Sequence, residues 1–166
     1  MSEKKLYLDG LELDYEGVFD IKELLKTTDG LIKQRGYAKG EKRREELVRA
    51  GGKEFSIELR PVKKKTDFFL LMVKMRIHIT GITDVEVMKD DIRTIMNKGK
   101  VSIIFDAWTT TDYEFRWEQK PLYYFLRNLF ERGIYKFHTD RYSGELVEDT
   151  RFFYNNIKAF LNLGKL

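Results

Sequence analysis

Apolar and polar residues alternate along several stretches of this chain. Phe55, Ile57 and Leu59 are separated by Ser56 and Glu58, and within 67–80 the residues Phe69, Leu71, Val73, Met75, Ile77 and Ile79 share one row. The odd positions from Val101 through Phe105, Thr109 and Tyr113 to Trp117 make a longer row. A period of two marks strands with one buried face. That last row covers seventeen residues, more than the usual span of about three to ten, so a bend or bulge is expected at Thr109-Thr110-Thr111. Ala50-Gly51-Gly52 sits between two alternating runs as a hairpin turn. Pro61 ends its strand or holds it at an edge. Shorter strands are read in ITDVEVMK and IRTIMN, a tight turn in Asn97–Lys100, and a short strand or pair of strands around Leu6–Leu13, with Asp9-Gly10 as the turn signal.

Elsewhere the period changes to that of a helix. Ile21, Leu24, Leu25, Leu31 and Ile32 lie on one stripe; Asp20 is placed to cap its start, with Glu23 three residues on, and Gly36 to stop it. Pro121 suits the first turn of a second helix, with Leu122, Phe125, Leu126, Leu129 and Phe130 as its stripe and Gly133 as its break. A third segment from about Glu145 to Leu163 carries Leu146, Thr150, Phe153, Tyr154, Ile157, Phe160 and Leu161 on one face, with His138-Thr139-Asp140 as its cap. Two apolar helical faces need a broad surface to cover. The expected fold is therefore α+β and a single domain: a curved antiparallel sheet of about five to seven strands, one N-terminal helix and two C-terminal helical segments.

Composition narrows the chemistry. The 166 residues include no cysteine, which excludes disulfides, thiol catalysis and thiolate metal sites. The two histidines, His78 and His138, fit no metal-ligand spacing. Asp112, Glu114, Arg116 and Glu118 alternate along the polar side of the long row and read as a solvated ladder. No nucleotide-binding loop or nucleophile motif occurs, so no catalytic residue, metal or cofactor is assigned. The longest apolar run is Phe68–Val73, far short of a membrane span, and the N-terminus has no apolar leader; a soluble, cytoplasmic protein is expected.

Three groups of residues stand out as candidate sites. Eight of the 25 residues from Asp112 to Lys136 are aromatic. They read first as core, and second as the lining of a pocket for an apolar small molecule, with Thr109, Thr111, Tyr113, Trp117 and Tyr124 as its residues. Phe68, Leu70, Met72, Ile104 and Trp108 are apolar where an open sheet face should be polar. They are covered either by the chain's own helix or across a homodimer or protein-partner interface. Residues 33–65 carry a net charge of +7, and Lys33, Arg35, Lys39, Lys42, Arg43, Arg44, Lys63, Lys64 and Lys65 could face nucleic acid, although no aromatics interleave with them.

The stretches LYLDGLELDYEGVFDIKELL, DYEFRWEQKPLYYFLRNLFERGIYK and NNIKAFLNL resemble a group of small archaeal proteins of unknown function. That resemblance implies no activity, cofactor or catalytic residue. The element order is similar to the helix-grip (START-like) fold, which implies an apolar ligand between sheet and C-terminal helix. The expected function is a non-catalytic binding or interaction module, holding an apolar ligand or partner segment between sheet and C-terminal helices. The alternative is a nucleic-acid contact through 33–65.

Overall fold

The structure, a computed structural model, describes residues 3–40, 42–111 and 121–163, and of residue 42 and residues 121–139 the backbone alone. Its elements are β1 (Glu3–Phe19), α1 (Ile21–Gln34), β2 (Lys42–Arg49), β3 (Gly52–Leu59), β4 (Val62–Thr66), β5 (Phe69–Lys89), β6 (Ile92–Thr111) and α2 (Pro121–Leu163). All the described strand pairs are antiparallel, in the order β1-β6-β5-β3-β2, with β4 also paired to β5. This is the α+β fold that the alternation predicts, with an open sheet.

Both helices begin as the sequence signals. The Asp20 carboxylate accepts from the backbone N–H groups of Lys22 (2.8 Å) and Glu23 (3.2 Å), donors that no helical carbonyl can reach. At the other end of α1 the Tyr37 and Gly36 N–H groups turn back to the carbonyls of Ile32 and Lys33. Gly36 takes the left-handed conformation, φ 77°, that this helix stop requires. Pro121 is the first residue of α2, where a missing N–H costs nothing.

The inner face of the sheet holds the core. Leu71, Val73, Met75, Ile77 and Ile79 of β5 and Val101, Ile103, Phe105 and Ala107 of β6 are fully buried. From the helices come Leu24, Thr28 and Ile32 of α1 and Leu146, Thr150, Phe153 and Ile157 of α2. The predicted inward rows and the predicted 146–161 stripe are therefore the ones that meet. Ring contacts fix the direction of α2: Tyr154 stands 5.9 Å from Phe105, and Tyr142 stands 5.0 Å from Phe69 at the start of β5.

Several boundaries differ from the sequence expectations. The three short strands read between residues 67 and 97 are two long ones, and the turn is at Asp90-Asp91, both with positive φ. Asn97–Lys100 is inside β6, not a turn. Gly99 is there because a Cβ would come within 2.8 Å of the Thr80 carbonyl oxygen, so only glycine allows this approach. The bulge expected at Thr109–Thr111 is absent: β5 pairs with β6 without a shift from Thr80↔Lys100 to Phe69↔Thr111. Shifts occur instead between Thr80 and Thr83, and in β1 between Leu6 and Leu11, where Asp9-Gly10 bends one continuous strand rather than turning it. The two C-terminal helical segments are one helix of 43 residues, about 65 Å long. Gly133 does not break it, since an interior glycine costs only about 1 kcal/mol. His138-Thr139-Asp140 consequently lies inside α2 rather than ahead of a helix start. The row beyond Thr111 and the ladder Asp112–Glu118 lie outside the described residues.

Candidate functional site

The basic segment is not one surface. Odd residues of β4 face inward, so Lys63 and Lys65 point at α2, where Glu145 meets them at 2.7 and 2.9 Å. Asp149, buried, accepts from the Tyr37 hydroxyl at 3.0 Å and lies 3.4 Å from Lys63 and 3.5 Å from Arg35. The Arg35 guanidinium stacks 4.0 Å from the Phe152 ring centre. Burial alone would raise the Glu145 carboxyl; hydrogen bonds from the two lysines overcome this and hold it below its usual range. Burial, and then the Asp149 charge, push the Tyr37 hydroxyl far above its usual range. These groups clamp α1, β4 and α2 together, and a buried pair of this kind costs most when one partner is removed. Of the other candidates, Lys39 pairs with Asp29, Arg43 with Glu45, Arg44 with Glu46 and Lys64 with Asp67. Lys42 opens β2, and its side chain lies outside the described residues; Lys33 is exposed in the last turn of α1.

An open cavity of about 300 Å³ lies against β2, β3 and β5, lined by Arg43, Glu45, Ser56, Ile57, Glu58 and Arg76. Its charges are already matched: Arg43 with Glu45, Glu58 with Arg60, and Arg76 with Asp106. Among the described residues no three His, Asp or Glu side chains converge on a metal position, and no helix is long and apolar enough to cross a membrane.

The end of the sheet where β1 begins and β6 finishes is different. Buried polar atoms normally find partners. Three here have none among the described residues: the Tyr7 hydroxyl, the Trp108 indole N–H and the Thr110 hydroxyl. They lie within a few rungs of one another, since Lys4 pairs with Thr110 and Leu6 with Trp108, and Tyr7 sits in the irregularity between Leu6 and Leu8. Tyr7 packs against the core on the inner side, near the proposed ligand residues Thr109, which is buried, and Thr111, which is partly buried. Tyr113, Trp117 and the Tyr124 side chain lie outside the described residues. Tyr7 was missed because its place depends on the pairing of β1 with β6, for which the sequence carries no local signal.

Trp108 and Thr110 face the outer side. Met72 is the cross-strand partner of Trp108, and Leu70 of Thr110. Leu70, Met72, Ile104 and Trp108 are partly buried and Phe68 is exposed. They do not form one unbroken patch: Ile104 stands opposite Arg76, and the Lys74–Asp106 rung separates it from Met72 and Trp108. Leu6 extends the patch from the other side of Trp108. Asp106 is buried on this face, accepting from the Gly10 N–H (2.8 Å) and from Arg76 (3.0 Å).

No protein-family model matches this chain, and no curated protein matches it. A solved structure of an uncharacterised protein from Rhizobium leguminosarum is similar at a TM-score of 0.27 with 7% identity, over 98% of this chain and 99% of that one.

Proposed function

We propose that this chain is a non-catalytic, cytoplasmic binding module of the helix-grip kind. It takes an apolar ligand, or an apolar segment of a partner, between sheet and α2 at the end of the inner face where β6 finishes. The observation that carries this reading is the buried Tyr7 hydroxyl, which has no partner among the described residues and lies close to the Lys5–Thr109 rung. Leaving such a group unpaired costs about 1–3 kcal/mol, and a ligand with one polar group on an apolar body would remove that cost. The continuous α2 supports the same reading, because a single long helix over a bent sheet is the element such a pocket needs. Farther along, the space between sheet and helix is filled by Phe105, Phe153 and Ile157, so the ligand is confined to this end.

Native mass spectrometry of freshly purified protein tests the proposal, followed by titration with a panel of fatty acids as probes. A retained mass, or saturable fatty-acid binding weakened about tenfold by Tyr7→Phe (one hydrogen bond's worth), is the expected result. A protein that carries no small molecule and shows no thermal shift with any probe overturns it.

A further inference from the structure

The outer face of the sheet carries charge in two separated rows. Glu12, Asp14 and Glu16 of β1 all point outward and are exposed. Two strands away, Arg76 and His78 of β5 point outward and are exposed, with Lys74 partly buried beside them. Between the rows runs β6, whose outward residues include Ser102, Ile104 and Trp108. The pairing sets these residues in register. Glu12, Ile104 and Arg76 share one rung, Asp14, Ser102 and His78 the next, and Leu6, Trp108 and Met72 another. These three rungs are thus acidic, neutral and basic, or apolar throughout, whereas the end rungs set Lys100 between Glu16 and Thr80, and Thr110 between Lys4 and Leu70.

We infer that this face is the interface of a two-fold homodimer whose axis runs along β6. Rotation by a half-turn about that axis brings the β1 row of one copy over the β5 row of the other while keeping the rungs aligned. Glu12 of each copy then meets Arg76 of the other, and Asp14 meets His78. Ile104 meets Ile104, Trp108 meets Trp108, and Leu6 meets Met72. On these three rungs the surface satisfies itself, as an isologous interface requires, while Asp106, on the axis, stays bound to Gly10 and Arg76 of its own copy. Sheets packed face to face keep their strands nearly aligned, the arrangement this axis produces. The charge rows give the register and the apolar rung gives the contact. Opposite charges favour this copy-to-copy alignment and oppose a shifted one. From the Thr110 rung to the Lys100 rung the strip is about 34 Å long, and its strands are about 4.8 Å apart. That footprint is at the small end for stable complexes, so the dimer should dissociate at micromolar concentrations.

Sedimentation velocity over a concentration series is the test. The wild type is expected to be a dimer near 100 µM and a monomer near 1 µM, values on the order of those a small interface gives. Glu12→Arg alone should raise the dimer dissociation constant about tenfold or more, because it sets Arg against Arg76. Arg76→Glu should do the same, and the two changes in one chain should restore dimerisation, since each copy supplies both halves of the exchanged pair. Arg76 also holds Asp106, so Arg76→Glu could weaken the fold; Asp14→Lys with His78→Glu repeats the exchange away from Asp106. Trp108→Glu should leave a folded monomer, with far-ultraviolet circular dichroism unchanged. The inference is overturned by a wild type that stays monomeric at 100 µM, by single reversals that leave the dimer intact, or by double exchanges no better than the singles.

Discussion

The two faces of β6 are one residue apart along the chain, yet they are built on different terms. Inward, Val101, Ile103, Phe105 and Ala107 are wholly excluded from solvent, against helices whose own apolar stripes match them. Outward, Ser102, Ile104 and Trp108 are partly buried, Asp106 is committed to Gly10 and Arg76, and two polar atoms lack partners among the described residues. Among the described residues the chain's own helices cover the inner face and leave the outer face uncovered. Close packing leaves the inner face little freedom to accept anything else, and the two proposed contacts accordingly lie at its open end and across the outer side.

The contrast can be broken most severely at Phe105. Phe105→Ala should cost about 3–5 kcal/mol, as large truncations in a packed core do; urea unfolding measures it. A loss below about 1 kcal/mol would reverse the assignment of faces.

Next in size is the clamp that holds the helices on the inner face. Tyr37→Phe removes a hydrogen bond to a buried carboxylate and should cost about 1.5–3 kcal/mol. It has a pH signature as well. The folded protein holds the Tyr37 proton more tightly than the unfolded chain does. That contribution is therefore complete below a pH of about 10, the unfolded value, and is lost as pH rises beyond it. Glu145 has the opposite sign: its carboxyl is lowered in the fold, so its contribution is present above a pH of about 4.3 and is lost as pH falls through the folded value. Melting curves from acid to alkaline pH should show the alkaline slope reduced in Tyr37→Phe and the acid slope reduced in Glu145→Gln. Slopes identical to wild type in both variants would remove the clamp from the account of stability.

The smallest effect sharpens the comparison. Ile104→Ala, next to Phe105 but outward, should cost no more than about 1 kcal/mol when measured on dilute protein. A cost equal to that of Phe105→Ala would mean that the outer side is covered from within the chain.

What the sequence made legible follows the same division. Alternation identified the inner rows, and Asp20, Gly36 and Pro121 marked helix ends, because each of these signals is local. The outward apolar residues at 70, 72 and 108 were visible as exceptions to alternation, although Leu6 was not, since its neighbour Trp108 lies 102 residues away. The Tyr37–Asp149 bond spans 112 residues and was hidden for the same reason. Two errors came from glycine. Gly99 looked like a turn and is a close approach of strands; Gly133 looked like a helix end and is an interior position of α2. The turn at Asp90-Asp91 lacks glycine altogether, and what marked it in the sequence was the break between the strands read in ITDVEVMK and IRTIMN.

The pairing of β1 with β6 also bears on how the chain is made. Among the described residues β1 has no sheet neighbour except β6, whose last rung forms at Thr111. A ribosome adding about 5–20 residues per second needs roughly 5–18 s to travel from the end of one strand to the end of the other. Throughout that interval Glu3–Phe19 leaves the exit tunnel as a strand without a partner, the condition in which nascent chains stick to one another. Its Glu3, Lys4, Lys5, Asp9, Glu12, Asp14 and Glu16 put charge at seven of its 17 positions, the kind of interruption that keeps waiting strands apart. The acidic row that would join two finished copies thus also protects each copy before it has folded.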